Sequence, residues 1–281
     1  MKMTEWVFLR AVAGLILLSG PLVRGAESEG RWLADGLTGV EVWDDDSKAS
    51  TVISWSGGDE NGRASGPGVM SIFEEGKLIG RYLGTMRDGR AEGSGRAHWL
   101  EGGNPHSYIG SFSDGVPHGL GTITFPDGST LKSEFVRGEI GIYGVYRGAN
   151  GERYDGELKG DLPDGEGLYI SEDGEAYEGG FVEGKRSGEG KLVLPDGTVI
   201  TGEFAEDELR GFGAATFPEG GSYEGQMKDD MATGQGIYRA PDGTVYEGQF
   251  ISNKPDGKFK VTKPDGSTAI EVWAQGEKKI W

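Results

Sequence analysis

The sequence predicts an all-β fold: an elongated, single-layer antiparallel meander of about nine 23-residue β-hairpin repeats after an N-terminal signal helix. Three observations predict it. Apolar and aromatic residues recur at a fixed interval, each interval alternates with the two-residue period of a strand, and Pro-Asp-Gly or Asn-Gly signals separate the alternating runs.

At the N-terminus, Lys2 and Arg10 precede an apolar stretch from Ala11 to Leu18, and Ser19, Gly20 and Pro21 then break any helix. This is the order of a secretory signal peptide over residues 1–25, with cleavage expected after Gly25 or Ala26. An uncleaved anchor from Trp6 to Val23 is the rival reading, near the lower length limit for a span and carrying Arg10 inside it. Cleavage would remove three basic residues and one acidic one, taking the net charge from −18 to −20. Residues 26–54 are expected to form a capping hairpin in which Val40–Trp43 pairs with Thr51–Trp55. The repeat array is expected over residues 55–268, and residues 269–281 are expected to close it, with Ile270 to Trp273 on the last strand and Ile280 and Trp281 folded back.

Within the array, Tyr154, Tyr177, Ile200, Tyr223 and Tyr246 lie 23 residues apart. The same step backwards reaches Leu131 and Tyr108, and slightly longer steps reach Tyr82 and Trp55. Two residues after each start stands a glycine, except at Ser133. Four after stands an apolar residue, such as Phe112, Phe181 or Phe250, except at Asp59. Eleven and thirteen after comes a Gly-x-Gly pair, as in Gly188-Glu189-Gly190, and it reads as a turn. Tyr177, Gly179 and Phe181 share one strand face, with Glu178 on the other. Pro126-Asp127-Gly128, Pro195-Asp196-Gly197, Pro241-Asp242-Gly243 and Pro264-Asp265-Gly266 mark the hairpins between successive units. A glycine repeated in mid-strand is expected to make room for the neighbouring rings. With two strands per unit, nine units would make a rod on the order of 90 Å with contacts mainly between neighbours.

Tyr177-Glu178-Gly179-Gly180-Phe181, followed by Gly184-Lys185, Gly188-Glu189-Gly190 and Pro195-Asp196-Gly197, resembles the MORN repeat, and Tyr223-Glu224-Gly225 and Tyr246-Glu247-Gly248 repeat its opening. The resemblance covers about residues 55 to 273, with departures at Asp59, Ser133, Ile142 and Phe259 that predict distortion in the first, fourth and last units. Residues 30–54, with the expected pairing of Val40–Trp43 and Thr51–Trp55, are similar to the leader of exported bacterial MORN proteins. MORN arrays are associated with membranes, lipid headgroups and protein scaffolding, so the resemblance implies those roles without choosing among them.

Composition narrows the function. Acidic residues outnumber basic ones by 46 to 28, which disfavours nucleic acid and anionic membranes as partners. With no cysteine, thiolate metal sites and cysteine nucleophiles are excluded. His98, His106 and His118 have no ligand spacing, and Asp44-Asp45-Asp46 lacks the pattern of a calcium loop, so neither a metal nor a cofactor is expected. No phosphate loop, nucleophile elbow or distinguished carboxylate pair points to an enzyme. Two rows remain as candidate binding surfaces. One is aromatic, with Tyr82, Tyr108, Tyr154, Tyr177, Tyr223 and Tyr246, read either as core or as a stacking groove. The other is acidic and outward, with Asp155, Glu178, Glu224 and Glu247, joined by Glu157 and Glu203, read either as a solubilising face or as a docking strip. The expectation is an exported, non-enzymatic scaffold or binding protein, secreted or periplasmic, that engages a protein partner, the alternative being a lipid headgroup or cell-wall glycan.

Overall fold

The computed structural model describes residues 31–44 and 50–279. The expected signal peptide over residues 1–25, Asp45 and Asp46 of the acidic run, and Ile280 and Trp281 lie outside the described residues. Every regular element among the described residues is a β-strand, and successive strands pair antiparallel through the repeats. The chain divides into two compact units. One holds the described chain up to Gly151 together with Leu158–Leu162, and the other holds Glu152–Glu157 and the chain from Pro163 onward.

In the second unit, the repeat that starts at Tyr177 shows how sequence becomes structure. Strand Ala176–Val182 and strand Lys185–Val193 are joined by Glu183 and Gly184, with φ of 50° and 81°. Two consecutive positive φ angles define the tight two-residue turn that suits twisted antiparallel strands. This corrects the expectation that Gly-x-Gly is the turn. Gly188-Glu189-Gly190 instead lies inside the second strand, where Gly179 pairs with Gly190 but Phe181 pairs with Arg186. One residue therefore opposes three, a bulge made possible by Gly188 at φ 77°. The Pro195-Asp196-Gly197 loop does close the next hairpin as expected: Gly197 N donates to Leu194 O at 2.9 Å and Thr198 N to the Asp196 carboxylate at 2.8 Å.

The bulge has a packing consequence. A bulged strand bends, and beyond each bend the hairpin tip hydrogen-bonds to the preceding repeat. Gly184 N donates to Pro163 O at 2.8 Å and Asn253 N to Ala232 O at 3.0 Å. In the first unit, Gly115 N donates to Ala91 O and Gly138 N to Pro117 O in the same way. The rings are thereby enclosed rather than laid along an open face. Tyr177 meets Phe181 and Phe204 edge-on at 5.2 and 5.0 Å, and in the first unit Tyr108 meets Phe112 and Phe135 at 5.1 and 5.2 Å. Edge-to-face contact at such distances is the favoured ring geometry. The mid-strand glycines accommodate these rings as expected, since a Cβ on Gly190 would stand 2.5 Å from the Tyr177 ring and one on Gly95 2.6 Å from Tyr82.

The expected capping hairpin is re-paired. Glu41–Asp44 runs antiparallel to Arg31–Ala34, with Arg31 opposite Asp44, and does not pair with Thr51–Trp55. Thr51–Trp55 lies instead against the repeat strand, Trp55 opposite Met70. Asp35 explains the difference. Its carboxylate accepts Leu37 N and Thr38 N at 2.8 and 2.9 Å, closing the first hairpin, and its other oxygen accepts Trp55 N at 2.8 Å. These backbone donors hold its carboxyl down at about 2. Distortion appears in the first and last units, as their departures predicted, with strands interrupted between Trp55 and Gly58 and between Pro255 and Gly257. The fourth, against expectation, keeps the bulge of its neighbours, Ser133 lying opposite Gly144 and Phe135 opposite Ile140.

Candidate functional site

The aromatic row is core. Tyr82, Tyr108, Tyr154, Tyr177 and Tyr223 are at most 3% exposed, because each ring lies over the glycine pair beside it. Each hydroxyl also donates to the carbonyl three residues on. The partners are Thr85 at 2.9 Å, Ser111 at 3.0 Å, Glu157 at 2.6 Å, Gly180 at 3.2 Å and Gln226 at 2.8 Å. Burial pushes the Tyr82, Tyr108, Tyr177 and Tyr223 hydroxyls up to about 12. The row is thus packed as core and forms no continuous stacking groove for a sugar or peptide chain, although an edge of Tyr223 borders a concavity. Tyr246 differs, being half-buried. Thirteen residues after it stands Phe259 instead of glycine; that ring is fully buried, packs on Phe250 at 5.2 Å, and occupies the space over Gly248. Tyr246 is left beside Trp273 and Tyr238.

The acidic row is outward, as alternation requires. Glu178, Glu203 and Glu224 are exposed, while Asp155 and Glu247 are intermediate. The row is interleaved with cations: Glu178 stands opposite Lys191, Lys260 Nζ lies 3.7 Å from Glu247, and Arg153 donates to Asp155 at 2.6 Å. Such exposed pairs contribute little to stability. On the outward face opens a shallow groove of about 800 Å³ whose walls include Phe212, Glu224, Ile237, Glu247, Lys258 and Ile270. Phe212 is 72% exposed and Ile270 67%.

On the core side of the same unit lies a second concavity of about 450 Å³. Its aromatic wall is Phe217, Tyr223, Tyr238 and Phe250, and Asp230 enters it from the hairpin turn. It exists because Ala215 and Ala232 stand where other repeats carry Leu192 or Tyr169, and Arg186 or Leu209, respectively. Nearby, Arg186 is a buried cation at an otherwise apolar column, between the Tyr177 and Phe204 rings. Its Nη2 donates to Asp207 O at 2.5 Å, and Glu175 lies 3.6 Å from Nη1. Burial raises the Glu175 and Asp230 carboxyls, and the Arg186 charge opposes that rise in both. Sequence reading missed Arg186, Asp230 and the two alanines because it followed what the columns share. Reading its column for the exception would have found Arg186, but not the others, since alanine recurs at Ala91 and Ala97 and aspartate at Asp161 and Asp207 in the same columns.

The histidines serve packing and turns. His106 is buried, stacked on Trp99 at 5.4 Å with its Nδ1 3.1 Å from Asn104 O, and exposed His118 accepts Arg137 N–H at 3.5 Å. Among the described residues no group of three or more His, Asp or Glu side chains is arranged to hold a metal ion.

Comparison with known proteins agrees with this geometry. The family model described as MORN repeat matches residues 82–103, 108–130, 154–176, 177–199, 223–245 and 246–268. These six segments all start at or near a tyrosine of the row, and the intervening repeats that start at Leu131 and Ile200 are passed over. No curated protein sequence matches the chain. Among solved structures, it is similar to the TCP domain of SAS-4 (dCPAP) from Drosophila melanogaster, in complex with a proline rich motif of Ana2 (dSTIL). That likeness has 15% identity and a TM-score of 0.38, covering 55% of this chain and 84% of that chain.

Proposed function

We propose that this chain, which carries six MORN repeats, is an exported, non-enzymatic scaffold that docks a basic protein partner in the cell envelope, outside the cytoplasm. The observation that carries the reading is the outward face of the second unit, which carries exposed Glu178, Glu203 and Glu224 and, beside Glu224, exposed Phe212 and an open groove. Alternating carboxylates and apolar side chains on a rigid sheet give a partner both charge steering and apolar area. Export rests on the order of residues 1–25.

The lipid-headgroup alternative meets the same carboxylates, which repel anionic headgroups. The glycan alternative loses its platform with the burial of the tyrosine rings. Crosslinking in the native compartment tests the docking reading. The wild-type chain should capture a basic protein, and the Glu178→Lys, Glu224→Lys double variant should lose it while keeping its β-sheet circular dichroism. Co-flotation with anionic liposomes at moderate salt would overturn the ranking, and an unprocessed chain retained in the cytoplasm would overturn export.

A further inference from the structure

We propose that the core-side concavity of the second unit is a binding site for a small organic cation, an alkylammonium group seated among the Phe217, Tyr223, Tyr238 and Phe250 side chains with Asp230 as its counter-ion. The volume, about 450 Å³, falls within the range of small-molecule sites. The wall supplies aromatic rings, which attract cations through their quadrupoles.

The carboxylate that would meet the cation is set apart from its equivalents in neighbouring repeats. Each hairpin tip places a residue at the second position of its turn, and in three successive repeats these are Asp207, Asp230 and Asn253. Asp207 accepts Arg186 N at 2.9 Å and Asn253 accepts Ala232 N at 2.7 Å, each bonding the backbone 21 residues upstream. Asp230 breaks the pattern: its Oδ1 is enclosed and has no hydrogen-bond partner. An enclosed carboxylate oxygen with no donor is costly, and desolvation accordingly pushes the Asp230 carboxyl up. Arg186 acts on Asp230 at longer range than on Glu175, which lies 3.6 Å from its Nη1, and Asp229 and Glu208 add further negative charge. Ala215 and Ala232 keep the space open. Of the other polar wall residues, Asp196 accepts Thr198 N, Asn253 accepts Ala232 N and Tyr223 donates to Gln226 O.

The site lies on the opposite face of the sheet from Glu178 and Glu224, so it stands or falls independently of partner docking. The test is a titration of the full chain followed through the methyl resonances of Ala215, Met227 and Ala232. Two probes carry the cation: choline as a free small molecule, and Nα-acetyl-lysine methylamide as a protein side chain. Each has a neutral counterpart, 3,3-dimethyl-1-butanol and the norleucine analogue. At least one cation should give saturable shifts at these three methyls, at least tenfold tighter than its neutral counterpart. Saturation by choline alone would assign the site to a free cation, and saturation by the lysine probe to a side chain. Asp230→Asn should weaken binding at least tenfold and leave the circular dichroism unchanged. Equal binding of charged and neutral probes, absence of saturable shifts with both cations, or undiminished binding by a folded Asp230→Asn chain would each overturn the proposal. The charged-against-neutral comparison needs no variant, so a misfolded substitution leaves the test intact.

Discussion

Gly190→Ala should be one of the most damaging small substitutions in the chain, while Gly188→Ala, two residues away, should be mild. A Cβ on Gly190 would stand 2.5 Å from the Tyr177 ring, almost 1 Å inside ordinary contact, which begins at 3.4 Å. The ring cannot retreat, because Phe181 and Phe204 hold its sides at 5.2 and 5.0 Å and its hydroxyl is bonded to Gly180 O. Overpacking of that kind costs about 3 kcal/mol. At Gly188 a Cβ meets nothing within 4 Å, and only the positive φ of 77° is penalised, by about 1 kcal/mol. Urea denaturation followed by circular dichroism should give this order. In a Tyr177→Ile background, which copies the repeat that starts at Ile200, Gly190→Ala should fall to about 1 kcal/mol, a coupling of about 2 kcal/mol. Equal costs at the two glycines, or strict additivity with Tyr177→Ile, would refute the account of glycine as space for the ring.

Three other outcomes are expected. Because Tyr82, Tyr108, Tyr177 and Tyr223 have hydroxyls raised to about 12, their folded-state contribution is complete below the unfolded tyrosine value of about 10 and is lost as pH rises toward 12. Tyrosinate absorbance should therefore appear together with loss of β-sheet signal in that window, and stepwise ionisation of an intact fold would contradict it. Arg186→Met leaves Glu175 and Asp230 without their cation and should cost about 3 kcal/mol at neutral pH. The deficit, read from urea midpoints, should shrink near pH 4 as those carboxyls protonate. Deleting residues 177–199 should leave a shorter folded array, because Tyr154 would then meet Phe204 as it now meets Phe181 at 5.4 Å. Global unfolding of that deletion on circular dichroism would show that contacts reach beyond neighbours.

Much of the fold was legible because its rules are local and repeated. The tyrosine interval, the glycine beside each ring and the Pro-Asp-Gly hairpins follow from strand alternation and positive φ, and each occurs often enough to set the register. The Gly-x-Gly pair was misread as a turn because glycine signals several backbone states alike. Only the observed pairing shows that Gly188 bulges a strand while Glu183-Gly184 turns it. The capping hairpin was mispaired for a related reason: Val40–Trp43 and Thr51–Trp55 both alternate well, and no local rule reveals that Asp35 will bind Trp55 N and send the two segments to different neighbours. Of the two rows, the carboxylates lie on the outward face and the tyrosines are enclosed, which is the core reading of the two that the sequence left open.

By itself the sequence determined which face the recurring residues of each repeat take, because a two-residue period leaves no freedom in that choice between bulges. It therefore set the acidic row outward and the tyrosines inward. Whether the inward face would be an open groove or a closed core was decided only in three dimensions, by the bend at each bulge and the hydrogen bonds between successive hairpin tips. The same holds for the cavity beside Asp230. Ala215 and Ala232 are 17 residues apart in the chain, and their missing volume becomes one space only when strand pairing brings them to the same wall.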